Sequence, residues 1–361
     1  MRERLNFNRD WLFHEGDIFV EAPRSKGLIY AQAKTERHLI GPASVAYPDG
    51  VDSYGGSRAT AETWEKVALP HDYVIAQTPN EKNNNTLGYF EYNNAWYRKH
   101  FTLDAACEGK RVVLFFEGAA VHCTIYVNGC HMLDNRCGYT SFEVDITDVA
   151  RFGQENVVAV YVNAQEHEGW WYEGAGIYRD VWLEITESVA VERDGVFVHP
   201  ELMGGESWNV PVDTELRNDD YEDAAVSVET VLYTMDGREI ARAQGEMTVP
   251  ARDHATLRQA MRVENPALWD TQSPALHICE TTVTRGGEIV DRTKCRFGFR
   301  TIRFDPDHGF FLNGKRVVIK GVCCHQDYGL TGKAVPKRVQ KYRLELLREM
   351  GANGYRTAHY P

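Results

Sequence analysis

Two short polar clusters near the end of the chain carry side chains suited to holding or polarising a bound molecule. Cys323-Cys324-His325-Gln326-Asp327 follows the apolar step Lys320-Gly321-Val322, and Arg356-Thr357-Ala358-His359-Tyr360-Pro361 lies at the end of the next strand-like stretch. Imidazole, carboxylate and guanidinium groups at the ends of consecutive strands can converge on one pocket and exchange hydrogen bonds and protons with its occupant. The same spacing also suits ordinary loop histidines held by their neighbours. A zinc reading of Cys323, Cys324, His325 and Asp327 fails on two counts. Adjacent cysteines at a strand end point in opposite directions, and no second Cys or His pair follows at finger-like spacing. The sequence contains no nucleophile elbow, phosphate loop or dinucleotide fingerprint. Glu62 and Asn80-Glu81 read as solvated loop carboxylates and receive no role.

The elements that must position these clusters are a strand, a helix and a second strand. Arg316 to Val322 reads as a short apolar strand, and Tyr355 to Ala358 as the next one. Between them, Pro336 to Met350 is the clearest helix of the chain, with Val339, Tyr342, Leu346, Leu347 and Met350 on one face. Pro336 suits the first turn, and Gly351 suits the position just past the end. Strand, helix, strand opens a parallel α/β domain. A (β/α)8 barrel needs about 250 residues, and only about sixty follow Gly298. The barrel is therefore unfinished within this sequence, and its apolar helix face lacks the strands that would cover it.

Upstream the pattern is β throughout, so the fold class is mainly β. Arg111 to Glu117, Thr124 to Val127, Val157 to Val162 and Val181 to Thr186 read as strands, and Asn128-Gly129 is a tight-hairpin signal. These features predict a jelly-roll β-sandwich over residues 1–187. Trp208 to Leu216 and Val226 to Tyr233 are strand-like, Asp236-Gly237 marks a hairpin, and Pro250, Pro266 and Pro274 bound strands rather than interrupt them. That pattern predicts an immunoglobulin-like β-sandwich over residues 188–298, without the paired cysteines of antibody domains. Residues 299–361 are the start of the (β/α)8 barrel.

Composition narrows the partners. Over 361 residues, 40 Lys+Arg face 52 Asp+Glu, a net charge of −12 that argues against nucleic acid and anionic membranes. No apolar run approaches the ~20 residues of a membrane span, and Met1 to Glu21 lacks the apolar segment of a signal peptide. Eight cysteines in a chain of this length suggest no disulfide framework, so a reduced, cytoplasmic protein is expected. Aromatic residues make up 11%, many of them in loop-like stretches. Exposed Trp and Tyr suit the apolar faces of sugar rings, although aromatics also fill sandwich cores.

Ordered motifs complete the reading. Val67-Ala68-Leu69-Pro70-His71-Asp72-Tyr73, Trp96-Tyr97-Arg98-Lys99, Phe116-Glu117-Gly118 and Val127-Asn128-Gly129 are followed by Trp171-Tyr172-Glu173-Gly174-Ala175-Gly176-Ile177-Tyr178-Arg179. Pro266-Ala267-Leu268-Trp269, Phe297-Gly298-Phe299-Arg300, Leu312-Asn313-Gly314-Lys315 and the two polar clusters come next. Together they resemble glycoside hydrolase family 2, the family of β-galactosidases, β-glucuronidases and β-mannosidases. The resemblance implies a jelly-roll sugar-binding domain, an immunoglobulin-like domain and a catalytic barrel. It further implies a retaining exo-β-glycosidase, most like the β-galactosidase branch, that uses two glutamates with carboxyls ~5–5.5 Å apart. In the family those glutamates end the fourth and seventh barrel strands, so neither catalytic residue falls in this sequence, and the chain alone is expected to be inactive.

By the same resemblance, His325 matches the histidine after the strand-one Gly-Val-X-X step that lines the sugar subsite. Asp327 matches a position that, in glucuronidase-like members, hydrogen-bonds a sugar hydroxyl. Arg356 matches the arginine that keeps the nucleophile carboxylate ionised. His359 matches the histidine of a Ser-His-Tyr-Pro motif that contacts hydroxyls, with Ala358 in place of the serine. The loop Glu166-His167-Glu168-Gly169-Trp170-Trp171-Tyr172 matches one that reaches toward the active-site mouth, where Trp170 would either stack on a sugar or plug the jelly roll against the barrel, and Trp171 would plug it. The implied partner is an oligosaccharide or glycoside. No cofactor is implied for this stretch, since the family's divalent or monovalent cation sites draw on later strands, and homo-oligomer formation is left open. The competing reading is a non-catalytic carbohydrate-binding protein. Within the enzyme reading, β-glucuronidase and β-mannosidase are the alternatives.

Overall fold

The computed structural model describes residues 1–18, 41–50, 63–165 and 171–358. Alternating and continuous apolar runs build the first sandwich from β1 (Glu3–Asn6), β2 (Trp11–Glu15), β3 (Glu65–Val67), β4 (Ala95–Thr102), β5 (Arg111–Phe116), β6 (His122–Val127), β7 (Cys130–Asn135), β8 (Phe142–Asp145), β9 (Glu155–Asn163) and β10 (Val181–Thr186). They form an antiparallel sheet in the order β1-β10-β5-β8 and a second in the order β3-β2-β4-β9-β6-β7. Trp11, Tyr97, Leu114, Phe116, Ile125 and Val160 belong to one continuous core between them. Each fully buried side chain of this kind contributes about 1.5–3 kcal/mol. β9 is central, and Val157 to Val160 are buried in succession. Asn128 and Gly129 close the β6–β7 hairpin at φ 52° and 86°, the left-handed pair that a tight hairpin turn requires.

One face of β4 carries charge into the interior. Arg98 is completely buried, and its guanidinium is held by Asp49, by the Ser44 carbonyl at 3.1 Å and by the Pro42 carbonyl. Residues 42–49 are thereby fastened onto the sheet.

The second sandwich comprises β11 (Val189–Val198), β12 (Glu201–Gly204), β13 (Ser207–Asn218), β14 (Ala224–Thr234), β15 (Glu239–Val249), β16 (Asp253–Glu264), β17 (His277–Arg285) and β18 (Glu288–Phe297). β13 pairs with β11, β12 and β16, and the facing sheet runs β15-β14-β17-β18. Pro250, Pro266 and Pro274 all fall between strands. Pro211, by contrast, lies inside β13, at the point where one neighbour changes from β12 to β11. A residue without an N–H is tolerated there because the ladder on that side is already interrupted.

The chain then leaves the sandwich through a buried aromatic knot. Phe299 sits edge-on to Trp208 and His277 at 5.4 and 4.8 Å. Asn313 accepts from the Thr301 N–H and donates to the Trp269 carbonyl, fixing the hairpin of β19 (Ile302–Asp305), β20 (Gly309–Leu312) and β21 (Lys315–Arg316) to the sandwich. The barrel opens with β22 (Gly321–Cys324), α1 (Lys337–Glu349) and β23 (Gly354–Thr357), the two strands pairing in parallel. The expected single strand from Arg316 to Val322 is thus two strands with a break. The break has a physical cause: the Asn353 amide bonds Lys320 N–H and the Val318 carbonyl, taking the place of a ladder neighbour. Tyr342 and Leu346 of α1 are exposed, as are Met350 just past its end, Val318 and Ile319.

Candidate functional site

The end of β22 delivers two of the sequence-predicted residues onto one loop. His325 and Asp327 are half-buried, and the Arg343 guanidinium of α1 donates 2.8 Å hydrogen bonds to the main-chain carbonyls of both. The same guanidinium lies over the Tyr328 ring at 5.2 Å. A planar five-donor fork suits this double contact, and it fixes the loop rather than contacting an occupant. The His325 ring meets Trp171 edge-to-face at 5.8 Å, so Trp171 packs the jelly roll against the strand end. Arg356 lies on β23 in register with Cys323 of β22, and both residues are exposed. In a parallel pair, residues in register share a face of the sheet. His359 and Trp170 lie outside the described residues. Among the described residues no group of three or more His, Cys, Asp or Glu side chains is arranged to hold a metal ion.

Behind this loop is a buried polar centre that sequence reasoning did not identify. Asp72 Oδ2 accepts from the Lys333 N–H and the Tyr172 hydroxyl, each at 2.7 Å. Its Oδ1 accepts from the N–H groups of Val74 at 3.1 Å and Ala175 at 3.2 Å. Burial raises the Asp72 carboxyl above its ordinary value, and the hydrogen bonds oppose that rise. Next to it, Tyr92 Oη accepts from the N–H groups of Glu173 and Gly174. His71 Nδ1 pairs with the Tyr97 hydroxyl at 2.8 Å, and burial pushes its imidazole down to about 4.

Lys333 is buried, with its ammonium over the rings of Tyr139 and Tyr178 at 4.2 and 4.4 Å. Burial draws its pKa down to about 7, against the opposing charges of Asp72 and Glu173. A cavity of about 250 Å³ opens at this junction, lined by Tyr178, Arg179, Asp180, Gln326, Lys333 and Lys337 among others. Arg179 donates to Gln326 at 3.4 Å, and Lys337 pairs with Asp180, so both ends of the loop between β22 and α1 are tied to the jelly roll. The signal that could have found Asp72 is its place beside Pro70 and His71 in the first motif, followed by a second motif rich in small residues. No hydrophobic period marks it.

Comparison with known proteins identifies the order of these domains. Residues 189–300 match the description of glycosyl hydrolases family 2, residues 306–361 its TIM barrel domain, and residues 59–175 its galactose-binding domain-like segment. The β-galactosidase BoGH2A of Bacteroides ovatus is 33% identical over 363 residues, an overlap of 100% of this chain and 39% of that protein. A β-glucuronidase of Formosa agariphila is 27% identical, covering 82% of this chain and 33% of its own length. The crystal structure of a glycosyl hydrolase family 2 member from Bacteroides cellulosilyticus superposes with a TM-score of 0.83 at 31% identity, over 99% of this chain and 43% of that one. The chain spans less than half the length of each of these proteins. With both sandwiches and the opening of the barrel matched in order, the chain belongs to glycosyl hydrolases family 2.

Proposed function

We propose that this chain forms the non-catalytic part of a retaining exo-β-glycosidase, β-galactosidase-like in specificity, whose catalytic glutamates lie on barrel strands beyond residue 361. The observation that carries this reading is the parallel β22–β23 pair, with Arg356 on the second strand and His325 and Asp327 just past the end of the first. At such strand ends a barrel assembles its chemistry. In this reading His325 and Asp327 hydrogen-bond sugar hydroxyls, and Arg356 holds the nucleophile carboxylate ionised. His359 and Trp170 belong to the same proposal on the resemblance of their motifs alone. The substrate is a terminal β-linked sugar of an oligosaccharide or simple glycoside. A cytosolic setting belongs to the same proposal and rests on the ordinary cysteine usage of the sequence.

The test is to express a longer polypeptide that includes a complete barrel and to assay aryl β-galactoside, β-glucuronide and β-mannoside side by side. Turnover of the galactoside is expected, with none by the 361-residue chain. A second specificity, β-glucuronidase, is favoured by the likeness to the Formosa agariphila enzyme and would appear as preference for the glucuronide. Failure to turn over any aryl glycoside overturns the enzyme reading.

A further inference from the structure

We propose that Asp72, a jelly-roll residue, is the positioning residue that sets the sugar-facing loop after the first barrel strand. The inference rests on the glycosidase reading for its catalytic consequence, and on geometry alone for its structural one. A carboxylate is acceptor-only, and Asp72 is supplied with four donors from three separate stretches of chain. Val74 is on its own loop, Tyr172 and Ala175 are on the loop before β10, and Lys333 is on the barrel segment.

The backbone closes around that carboxylate at two glycines. Gly174 and Gly332 sit at φ +63° and +57°, and a Cβ on either would come within 2.4 and 2.3 Å of Asp72 Oδ2. Neither position accepts a side chain on grounds of space or of backbone conformation.

From there the restraint passes in two directions, one to Asp327 and one to His325. Gly332 bridges to Tyr328, the residue after Asp327, through the Tyr328 N–H and the Gly332 carbonyl at 2.9 Å. Tyr172, held by Asp72, is followed back along the chain by Trp171, whose ring abuts His325. One buried carboxylate of the first domain therefore fixes both the loop bearing Asp327 and the ring against His325.

Asp72→Asn keeps the shape and replaces one acceptor oxygen with a donor, so whichever way the amide turns, two N–H or O–H groups meet an NH₂. In the 361-residue chain, amide hydrogen exchange of residues 328–334 is expected to accelerate about tenfold, the scale of a lost charge-assisted hydrogen bond, while β9 stays protected. In the longer, barrel-complete protein the same substitution is expected to raise KM about tenfold with kcat changed less. Exchange that is unchanged, or that rises equally in β9, overturns the positioning role. So does an unaltered KM in an active enzyme. If that longer protein turns over no glycoside even without substitution, the glycosidase reading falls and exchange alone decides the clamp. Should Asp72→Asn not fold, Tyr172→Phe, which removes one donor and keeps the ring, is judged by the same two readouts.

Discussion

Asp49 and Arg98 form an ion pair from which solvent is fully excluded. Asp49 Oδ2 lies 2.7 Å from Arg98 Nη2, and neither side chain has exposed surface. His100 Nε2 reaches the same oxygen at 2.7 Å, while its Nδ1 faces Glu155 at 2.9 Å. Burial alone would raise the Asp49 carboxyl. The His100 hydrogen bond and the Arg98 charge outweigh it and bring the carboxyl to about 2. A folded-state value below the unfolded one means stability that is complete above the unfolded value near 4 and lost as pH falls through about 2. The amount is on the order of 2 kcal/mol. Urea denaturation between pH 5 and 2 should therefore show an acid-linked loss that Asp49→Asn lacks. The variant is also expected to be weaker at pH 7 by about 3–5 kcal/mol, because it leaves Arg98 buried without its countercharge. Parallel pH profiles for the two proteins would count against this.

Lys333 gives a pH dependence of the same direction in a higher window, between about pH 7 and 10. Its folded-state pKa of about 7 lies below the unfolded value near 10.4, so between those limits the unfolded chain binds the extra proton. Stability through this group then rises with pH, by at most about 1.4 kcal/mol per unit. Lys333→Met keeps the main-chain N–H that Asp72 uses. Its stability is expected to exceed that of the parent at pH 7, the difference narrowing toward pH 10. Denaturation curves at pH 7, 8.5 and 10 check the sign. A difference that does not change with pH would refute it.

Arg343→Met should act on sugar recognition at a distance. It removes two hydrogen bonds from a cationic donor to the carbonyls of His325 and Asp327 while keeping an unbranched apolar stem. In the barrel-complete protein kcat/KM for the preferred aryl glycoside is expected to fall at least about tenfold. Arg343→Lys should recover little, since a single ammonium cannot span both carbonyls as the guanidinium fork does. Full recovery by lysine would show that charge, not geometry, is what matters there.

The exposed apolar residues of α1 and of the turn after it lead us to expect self-association of the 361-residue chain. Leu346 and Met350 are 45% and 67% exposed, and replacing both with glutamate should shift sedimentation toward the monomer. The melting temperature of the sandwiches is expected to stay within a few degrees, as surface substitutions usually change stability by about 0.5 kcal/mol or less.

Periodic features were legible in the sequence and aperiodic ones were not. The continuous valines of β9, the Asn128-Gly129 turn and α1 declare themselves because their spacing is local. That His325 and Asp327 follow a strand was readable for the same reason. The break between β21 and β22 was not, because it depends on an amide contributed by Asn353 from across the sheet. Asp72, Lys333 and the Asp49–Arg98 pair were equally hidden. Each is a charged residue whose burial is decided by partners far away in the chain, and hydrophobic patterning assigns such residues to the surface. Pro211 was overlooked as well, since its tolerance depends on which strand lies alongside β13 at that point.

The paired glycines around Asp72 also limit how a lineage carrying this architecture can diversify. An insertion or deletion on one side of the junction survives only if it leaves Gly332 and Lys333 able to reach a carboxylate more than 250 residues earlier in the chain. The clamped junction between the two modules is thus the place where a change of chain length is expected to be tolerated least.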